Sequence, residues 1–206
     1  MKKIPVTIAT GNAHKALEIA RILPPIYEVH TLAEHPGLPE PPEVGRTFAA
    51  NAACKSCGYS ALIPGLVIAD DSGLCVDVLN GQPGVISARY AGTHGDDQGN
   101  NNKLLRELSV MPGQAPFTAR YVCSISLACE GEELANFTGK AEGFITTTPR
   151  GTNGFGYDPL FIPAGYDCTM AELPSAVKDS ISHRAEALKQ LAAYLENNRC
   201  SCEEGL

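Results

Sequence analysis

Four segments carry residue types that could act on a phosphorylated, ring-bearing ligand. Asp70 and Asp71 stand side by side after the apolar run Leu66 to Ala69 and are followed by Ser72 and Gly73. Adjacent carboxylates repel unless a cation or a basic group compensates. Magnesium suits such a place, because it takes hard oxygen ligands, keeps several waters and joins one or two carboxylates to substrate phosphates. The alternative is a plain turn, since Asp, Ser and Gly are ordinary turn formers. Thr10, Gly11, Asn12, Ala13, His14 and Lys15 form a second segment, leading from a short apolar strand into a helix. A glycine turn there lets backbone N–H groups and a helix N-terminus face an anion while Lys15 adds a point charge. Neither G-x4-G-K-[ST] nor G-x-G-x-x-G is present, and a simple connection is the alternative.

The third segment is Phe155, Gly156, Tyr157 and Asp158. Two aromatics around a glycine can stack on a planar base while a carboxylate accepts from ring N–H groups, or they can be a core pair after a turn. The fourth is Lys178 with Ser182, His183 and Arg184. It is a donor-rich cluster near the start of the last helix, or else a solvated helix end.

The elements that must position these groups follow from periodicity. Residues 4 to 9 read as a buried strand. Asn12 caps a helix to Leu23, with Ala16, Leu17, Ala20 and Leu23 as its apolar stripe, and Pro24-Pro25 ends it. A short strand spans 27 to 31, a proline-rich loop follows, and a helix covers Thr47 to about Leu62. The strand from Leu66 to Ala69 stops at the carboxylates and resumes at 75 to 79, before the Asn80-Gly81 turn. A polar helix begins near Asp96. Residues 117 to 129 and 134 to 146 pair as an antiparallel hairpin across the turn at 130 to 133. A short strand lies at 160 to 162, and Leu188, Leu191, Ala192 and Leu195 stripe the last helix.

The 206 residues, 44% hydrophobic, can bury one sizeable core, and residues 1–206 read as a single domain. No long apolar run and no signal-peptide core are seen, so a cytoplasmic, non-membrane protein is expected. The formal charge of -7 argues against a nucleic-acid surface, which needs clustered Lys and Arg. The eight cysteines read as reduced, buried small residues. Cys54 and Cys57, and Cys200 and Cys202 in the tail, lack the companion ligands of a zinc site and are given no role.

In this order the blocks ATGNAHK (9–15), EVGRTFAANAACK (43–55), IADDSGLCVDVLNGQPGVISARYAG (68–92), GFGYDP (154–159) and SHRAEAL (182–188) closely resemble the inosine triphosphate pyrophosphatase family, and the resemblance covers nearly the whole chain. It implies a two-lobed α/β fold, an elongated mixed sheet flanked by helices with a cleft between the lobes, and a homodimer. It also implies hydrolysis of non-standard purine nucleoside triphosphates, ITP, dITP and XTP, to the monophosphate and pyrophosphate with Mg2+. By the same resemblance Thr10 to Lys15 and Lys55 meet the phosphates, Asp71 is general base and metal ligand, and Glu43 assists the metal, with Glu40 the alternative. Ser72, Phe155, Gly156, Tyr157, Asp158, Lys178, His183 and Arg184 form the substrate and base pocket. Two positions depart from the family pattern: Ala50 stands where glutamate is common, and Asp179 where asparagine is usual. The competing readings are a non-catalytic nucleotide sensor and a zinc or redox protein built on the cysteines.

Overall fold

The computed structural model of the chain describes residues 3–43, 45–113 and 115–198. Cys200 and Cys202 lie outside the described residues. Strands β1 (Ile4–Ile8), β2 (Tyr27–Thr31), β3 (Leu66–Val76), β4 (Phe117–Cys129), β5 (Glu132–Ile145) and β6 (Phe161–Pro163) form one sheet in the order β2-β1-β3-β4-β5-β6. The sheet is mixed: β1 runs parallel to β2 and β3, and β6 is antiparallel to β5. The helices are α1 (Ala13–Ile22), α2 (Phe48–Ser60), α3 (Asp97–Leu108), α4 (Ser175–Ile181) and α5 (His183–Asn197). The α/β class is the expected one.

Local chemistry sets most boundaries. Asn12 caps α1 by accepting from the N–H groups of His14 and Lys15, Thr47 caps α2 through Ala50 N–H, and Asp96 caps α3 through Gly99 N–H. β4 and β5 join through Glu130 and Gly131, with φ of 52° and 84°, the left-handed pair that matches the twist of a hairpin. The turn is therefore two residues long, and Glu132 and Glu133 already belong to β5.

At the carboxylates the structure departs from expectation. β3 is one strand of 11 residues that runs through Asp70, Asp71, Ser72 and Gly73 without a break, and residues 77 to 79 form a 3-10 turn instead of resuming the strand. The turn propensity of D-D-S-G is overridden by tertiary partners on both faces of the strand.

The chain divides into two compact units. The first gathers residues up to Asp71, Cys123–Gly139 and Arg184 onward; the second gathers Ser72–Val122 and Lys140–His183. In the first, strand alternation sorts the core into two layers. Leu66 and Ile68 join Ile8, Ile19, Leu23, Ile125, Leu188, Leu191 and Leu195 on the α1 and α5 face, whereas Val67 and Ala69 join Ala9, Tyr59 and Ile63 on the α2 face. The buried stripe of α1 is only half the one expected: Leu23 is buried and Ala16 packs against the core, but Leu17 is 59% exposed and Ala20 is exposed, while Glu18 and Ile19 are buried. The helix is turned because Glu18 carries a buried partner, described below. Of the described cysteines only Cys123 is buried; Cys54 is exposed and Cys57, Cys75, Cys129 and Cys168 are half-buried.

The second unit has its own core, in which Leu74 and Val76 of β3 pack with Leu104 and Leu108 of α3, Tyr121, Tyr157 and Phe161. Gly73 brings β3 against the 84–89 turn, where the Ser87 hydroxyl accepts from Leu74 N–H (3.0 Å) and donates to Gly84 O (2.6 Å). A Cβ at Gly73 would stand 2.6 Å from the Gly84 carbonyl oxygen. Gly73→Ala is expected to cost about 1–3 kcal/mol through overpacking against backbone, read as a lowered urea midpoint.

Candidate active site

In the first unit, the alternation of β3 sends its two carboxylates to opposite faces. Asp70 follows Leu66 and Ile68 toward α1 and α5 and is fully buried. Lys15 Nζ lies 2.5 Å from its Oδ1, and Arg184 Nε donates to its Oδ2 at 3.1 Å. The Cys123 thiol donates to the same Oδ2 at 2.8 Å. Arg184 Nη1 also donates to Glu18, which with Ile19 lies on the buried side of α1. Burial opposes ionisation of Asp70, but Arg184, Lys15 and the Cys123 thiol outweigh it and hold the carboxyl well below the usual range. Asp70 is a fixed anion whose work is to hold Lys15 and Arg184.

Asp71 follows Val67 and Ala69 to the α2 face. Asn51 Nδ2 donates to its Oδ2 at 3.0 Å, and the Asn51 Oδ1 accepts from Gly45 N–H at 2.8 Å, which fixes the orientation of the amide. Lys55 Nζ donates to the Asp70 carbonyl (2.6 Å), pairs with Glu43 Oε1 (2.9 Å) and lies 3.7 Å from Asp71 Oδ1. Burial pushes the Asp71 carboxyl up from its ordinary value, and Lys55, Lys15 and Asn51 offset only part of that. For Lys55 burial favours the neutral amine, but Asp71, Glu43 and Asp70 outweigh it and raise its proton affinity. The two neighbours therefore differ in kind: Asp70 is held ionised, and Asp71 has the raised proton affinity that suits a general base.

Thr10, Gly11, Asn12 and Ala13 make the turn from β1 into α1. The Asn12 side chain takes the N–H groups of His14 and Lys15 at 3.0 and 3.2 Å, and Asn12 N–H donates to Thr10 Oγ1 at 3.2 Å. Gly11, Ala13 and His14 are exposed, and nothing lies within 4 Å of where a Gly11 side chain would be. Glu43 is the acidic group that shares Lys55 with Asp71, whereas Glu40 is exposed. Ala50 is the exposed third residue of α2, where its N–H meets the Thr47 cap.

In the second unit, Asp158 is buried and its carboxylate is committed: Oδ2 takes Lys178 Nζ at 2.6 Å and Phe155 N–H at 3.0 Å, and Oδ1 takes the Tyr121 hydroxyl at 3.2 Å. Lys178 Nζ also sits 4.7 Å from the Phe155 ring centroid, a cation–π contact. His183 stacks on Tyr121, with centroids 4.8 Å apart and planes at 11°. Tyr157 is a core residue whose hydroxyl donates to Ser87 O at 2.9 Å, while Phe155 and Ser72 are half-buried.

The structure thus brings Lys15, Lys55, Asp71, Glu43 and Arg184 together in the first unit, and Phe155, Asp158, Lys178 and His183 in the second. Two placements differ from the sequence reading. Arg184, assigned there to the base, has its guanidinium on Asp70 and Glu18 in the first unit, although His183 beside it belongs to the second. Tyr157 and Asp158, read there as ring-facing groups, support their own unit from within. Asn51, Glu18, Cys123 and Tyr121 escaped the sequence reading as site residues, and Asp70 was singled out there only as half of a carboxylate pair. A polar Asn51 and Glu18 inside otherwise small or apolar helix faces were the available signal for two of them.

The Ham1 family matches this chain over residues 6–194. The chain is 50% identical over 188 residues to the dITP/XTP pyrophosphatase of Listeria innocua, covering 90% of this chain and 92% of that protein. It is 48% identical over 190 residues to the dITP/XTP pyrophosphatase of Bacillus subtilis, covering 92% and 96%. Among solved structures, the Staphylococcus aureus Ham1 protein superposes with a TM-score of 0.83 at 40% identity, over 94% of this chain and 99% of that one. The HAM1 protein of Coxiella burnetii does so with a TM-score of 0.85 at 34% identity, over the same shares.

Breaking the buried cluster at its centre should be expensive. Asp70→Ala strips Lys15 and Arg184 of a common anion and is expected to lower the unfolding free energy by about 3–5 kcal/mol, whereas Asp71→Asn should cost clearly less; urea denaturation of the two variants measures the difference.

Proposed function

The chain belongs to the Ham1 family, and we propose from that premise that the carboxylates and lysines of the first unit and the aromatic loop of the second carry its reaction. The chain is a nucleoside triphosphate pyrophosphatase: it hydrolyses ITP, dITP and XTP to the monophosphate and pyrophosphate and so removes them from the nucleotide pool. The observation that carries the residue assignment is the opposite fate of Asp70 and Asp71 on one strand.

The phosphates fall to the Thr10–Lys15 turn, with its N-terminal amides, and to Lys15 and Lys55. Asp71 accepts the proton of a water that attacks the α-phosphorus, and pyrophosphate leaves. No covalent intermediate on the protein is required. Asn51 keeps the Asp71 carboxylate aimed, and Arg184 acts one step back by holding Asp70, which holds Lys15.

The acidic groups Asp70, Asp71, Glu18 and Glu43 outnumber the basic Lys15, Lys55 and Arg184 in this unit, so a triphosphate would add negative charge to a place with no surplus of positive charge. Among the described residues no group of three or more His, Cys, Asp or Glu could hold a metal. Asp71 and Glu43, which flank Lys55, are two carboxylates of the kind that magnesium takes alongside substrate phosphates, and they would hold it. When bound, Mg2+ would supply neutralising charge on the phosphate oxygens.

For the base, Phe155 offers a stacking face and Gly156 the turn beside it, while Lys178 and His183 offer donors to the 6-oxo group of hypoxanthine or xanthine; Ser72 is retained as a substrate contact. Tyr157 and Asp158 support this pocket, Asp158 by holding Lys178 and the Phe155 N–H. Adenine presents the reverse polarity at positions 1 and 6, and guanine differs by its 2-amino group, so discrimination against it needs steric exclusion or an unpaired donor. A homodimer in the cytoplasm, without nucleic-acid or membrane partners, is carried over from the family resemblance and the acidic charge. No described helix is long and apolar enough to cross a membrane.

Pyrophosphate release measured across ITP, XTP, GTP and ATP with magnesium should favour ITP and XTP, and equal turnover of all four would refute the preference. Asp71→Asn should lower kcat on ITP by about 10²–10⁴-fold. Chelation should abolish turnover and added magnesium restore it; a chelator-resistant rate would remove the metal from the account.

A further inference from the structure

The polar helix α3 has no part in the chemistry above, yet its first turns are tied to the loop that carries Phe155. Gly156 has a φ of +63°, a left-handed backbone that needs external support to be unique. Both of its polar backbone groups are held by α3: Gly156 N–H donates to Asp97 Oδ2 at 2.7 Å, and Asn101 Nδ2 donates to the Gly156 carbonyl at 2.9 Å. Asp97 and Asn101 are four residues apart and so share one face of the helix. On the other side of Phe155, its own N–H is held by Asp158. The backbone of Phe155 is therefore held from both flanks, by Asp158 at its own N–H and by α3 at Gly156, and Lys178 Nζ lies 4.7 Å from the centroid of its ring.

Two further observations separate this from incidental surface bonding. The Asn101 Oδ1 is buried and makes no hydrogen bond, so the side chain keeps an unmet acceptor while its amide nitrogen holds Gly156. The neighbouring Asn100 pins a second loop, accepting from Ala91 N–H at 2.7 Å and donating to Ala88 O at 3.2 Å, and Lys103 Nζ donates to Tyr90 O at 2.8 Å. The face of α3 is thus spent on loop backbone. The start of the helix is itself secured by Asp96, whose carboxylate caps Gly99 N–H and leaves no room for a side chain there, with 2.2 Å from a Gly99 Cβ to Asp96 Oδ2.

We infer that Asp97 and Asn101 are positioning residues for base selectivity, clamping the Gly156 peptide so that Phe155 presents its ring in one place to the purine. This rests on the reading of Phe155 as the base-stacking residue. The clamp holds the Gly156 backbone and none of the residues assigned to the phosphates or the attacking water, so its loss should appear in substrate affinity and in discrimination, not in the bond-breaking step.

The test is steady-state pyrophosphate release from ITP and GTP by the full chain and four variants. Asn101→Ala and Asp97→Ala should raise KM for ITP by about 10-fold, leave kcat within about twofold and narrow the ITP-over-GTP preference several-fold. Asp97→Asn, whose amide oxygen can still accept from Gly156 N–H, should stay close to wild type, as should Gln98→Ala on the exposed face of the same turn. Wild-type KM and preference in both alanine variants would overturn the inference, and so would a loss of kcat with KM and preference intact, which marks a general loss of folded enzyme. A wild type that releases no pyrophosphate from ITP would instead overturn the underlying functional reading, and the clamp with it.

Discussion

The structure depends on the two-residue period of a single strand. Because β3 does not turn at its carboxylates, Asp70 and Asp71 leave the backbone on opposite faces, and each meets a different set of cations. Had both side chains shared a face, their repulsion would have raised one proton affinity at the expense of the other's placement. Instead Asp70 becomes a buried anion surrounded by Lys15, Arg184 and the Cys123 thiol, and Asp71 keeps a raised proton affinity beside Lys55 and Asn51. Isolated surface pairs are worth about 0–1 kcal/mol, but removing one partner of a buried set leaves charge without compensation. The arrangement around Asp70 is of the second kind, and it fixes Lys15 at the helix start where phosphates are proposed to bind.

This division explains why elements distant in the chain are needed to make one small centre. α1 contributes Lys15 and Glu18, α2 contributes Asn51 and Lys55, β4 contributes Cys123 and α5 contributes Arg184. The second unit follows the same logic with Asp158 at the centre, since Lys178, Tyr121 and the Phe155 N–H converge on its carboxylate. In both units a buried carboxylate gathers and orients donors from distant elements, Lys15 and Arg184 on Asp70 and Lys178 on Asp158. Such polar centres are stable only when every member is satisfied.

The parts of the fold written in local chemistry were legible. The Asn12 cap, the starts of α2 near Thr47 and α3 near Asp96, the bounds of β2, and the two long strands of the hairpin follow from spacing and cap residues alone, though the hairpin turn is shorter than 130 to 133. The parts decided at a distance were not. D-D-S-G reads as a turn until Lys15, Lys55 and Arg184 are in place, and those residues are far from it in sequence. The face of α1 was read right at Ala16 and Leu23 and wrong at Leu17 and Ala20, because a buried Glu18 looks like a surface residue until its arginine is known. The candidate site residues were picked by type and by resemblance, but the partners of Arg184, Tyr157 and Asp158 are visible only in the structure, where Arg184 meets Asp70 and Glu18, Tyr157 meets Ser87 and Asp158 meets Lys178. Asn51 gave no signal beyond a polar side chain among alanines, and only the Asp71 contact reveals its task.

Asp71 is proposed to aim the water that attacks the α-phosphorus and expels pyrophosphate. Hydrolysis of ITP in water enriched in oxygen-18, with mass analysis of both products, tests it most directly. The label is expected in the inosine monophosphate, with none in the pyrophosphate. Label in the pyrophosphate, or a phosphate released singly, would contradict it.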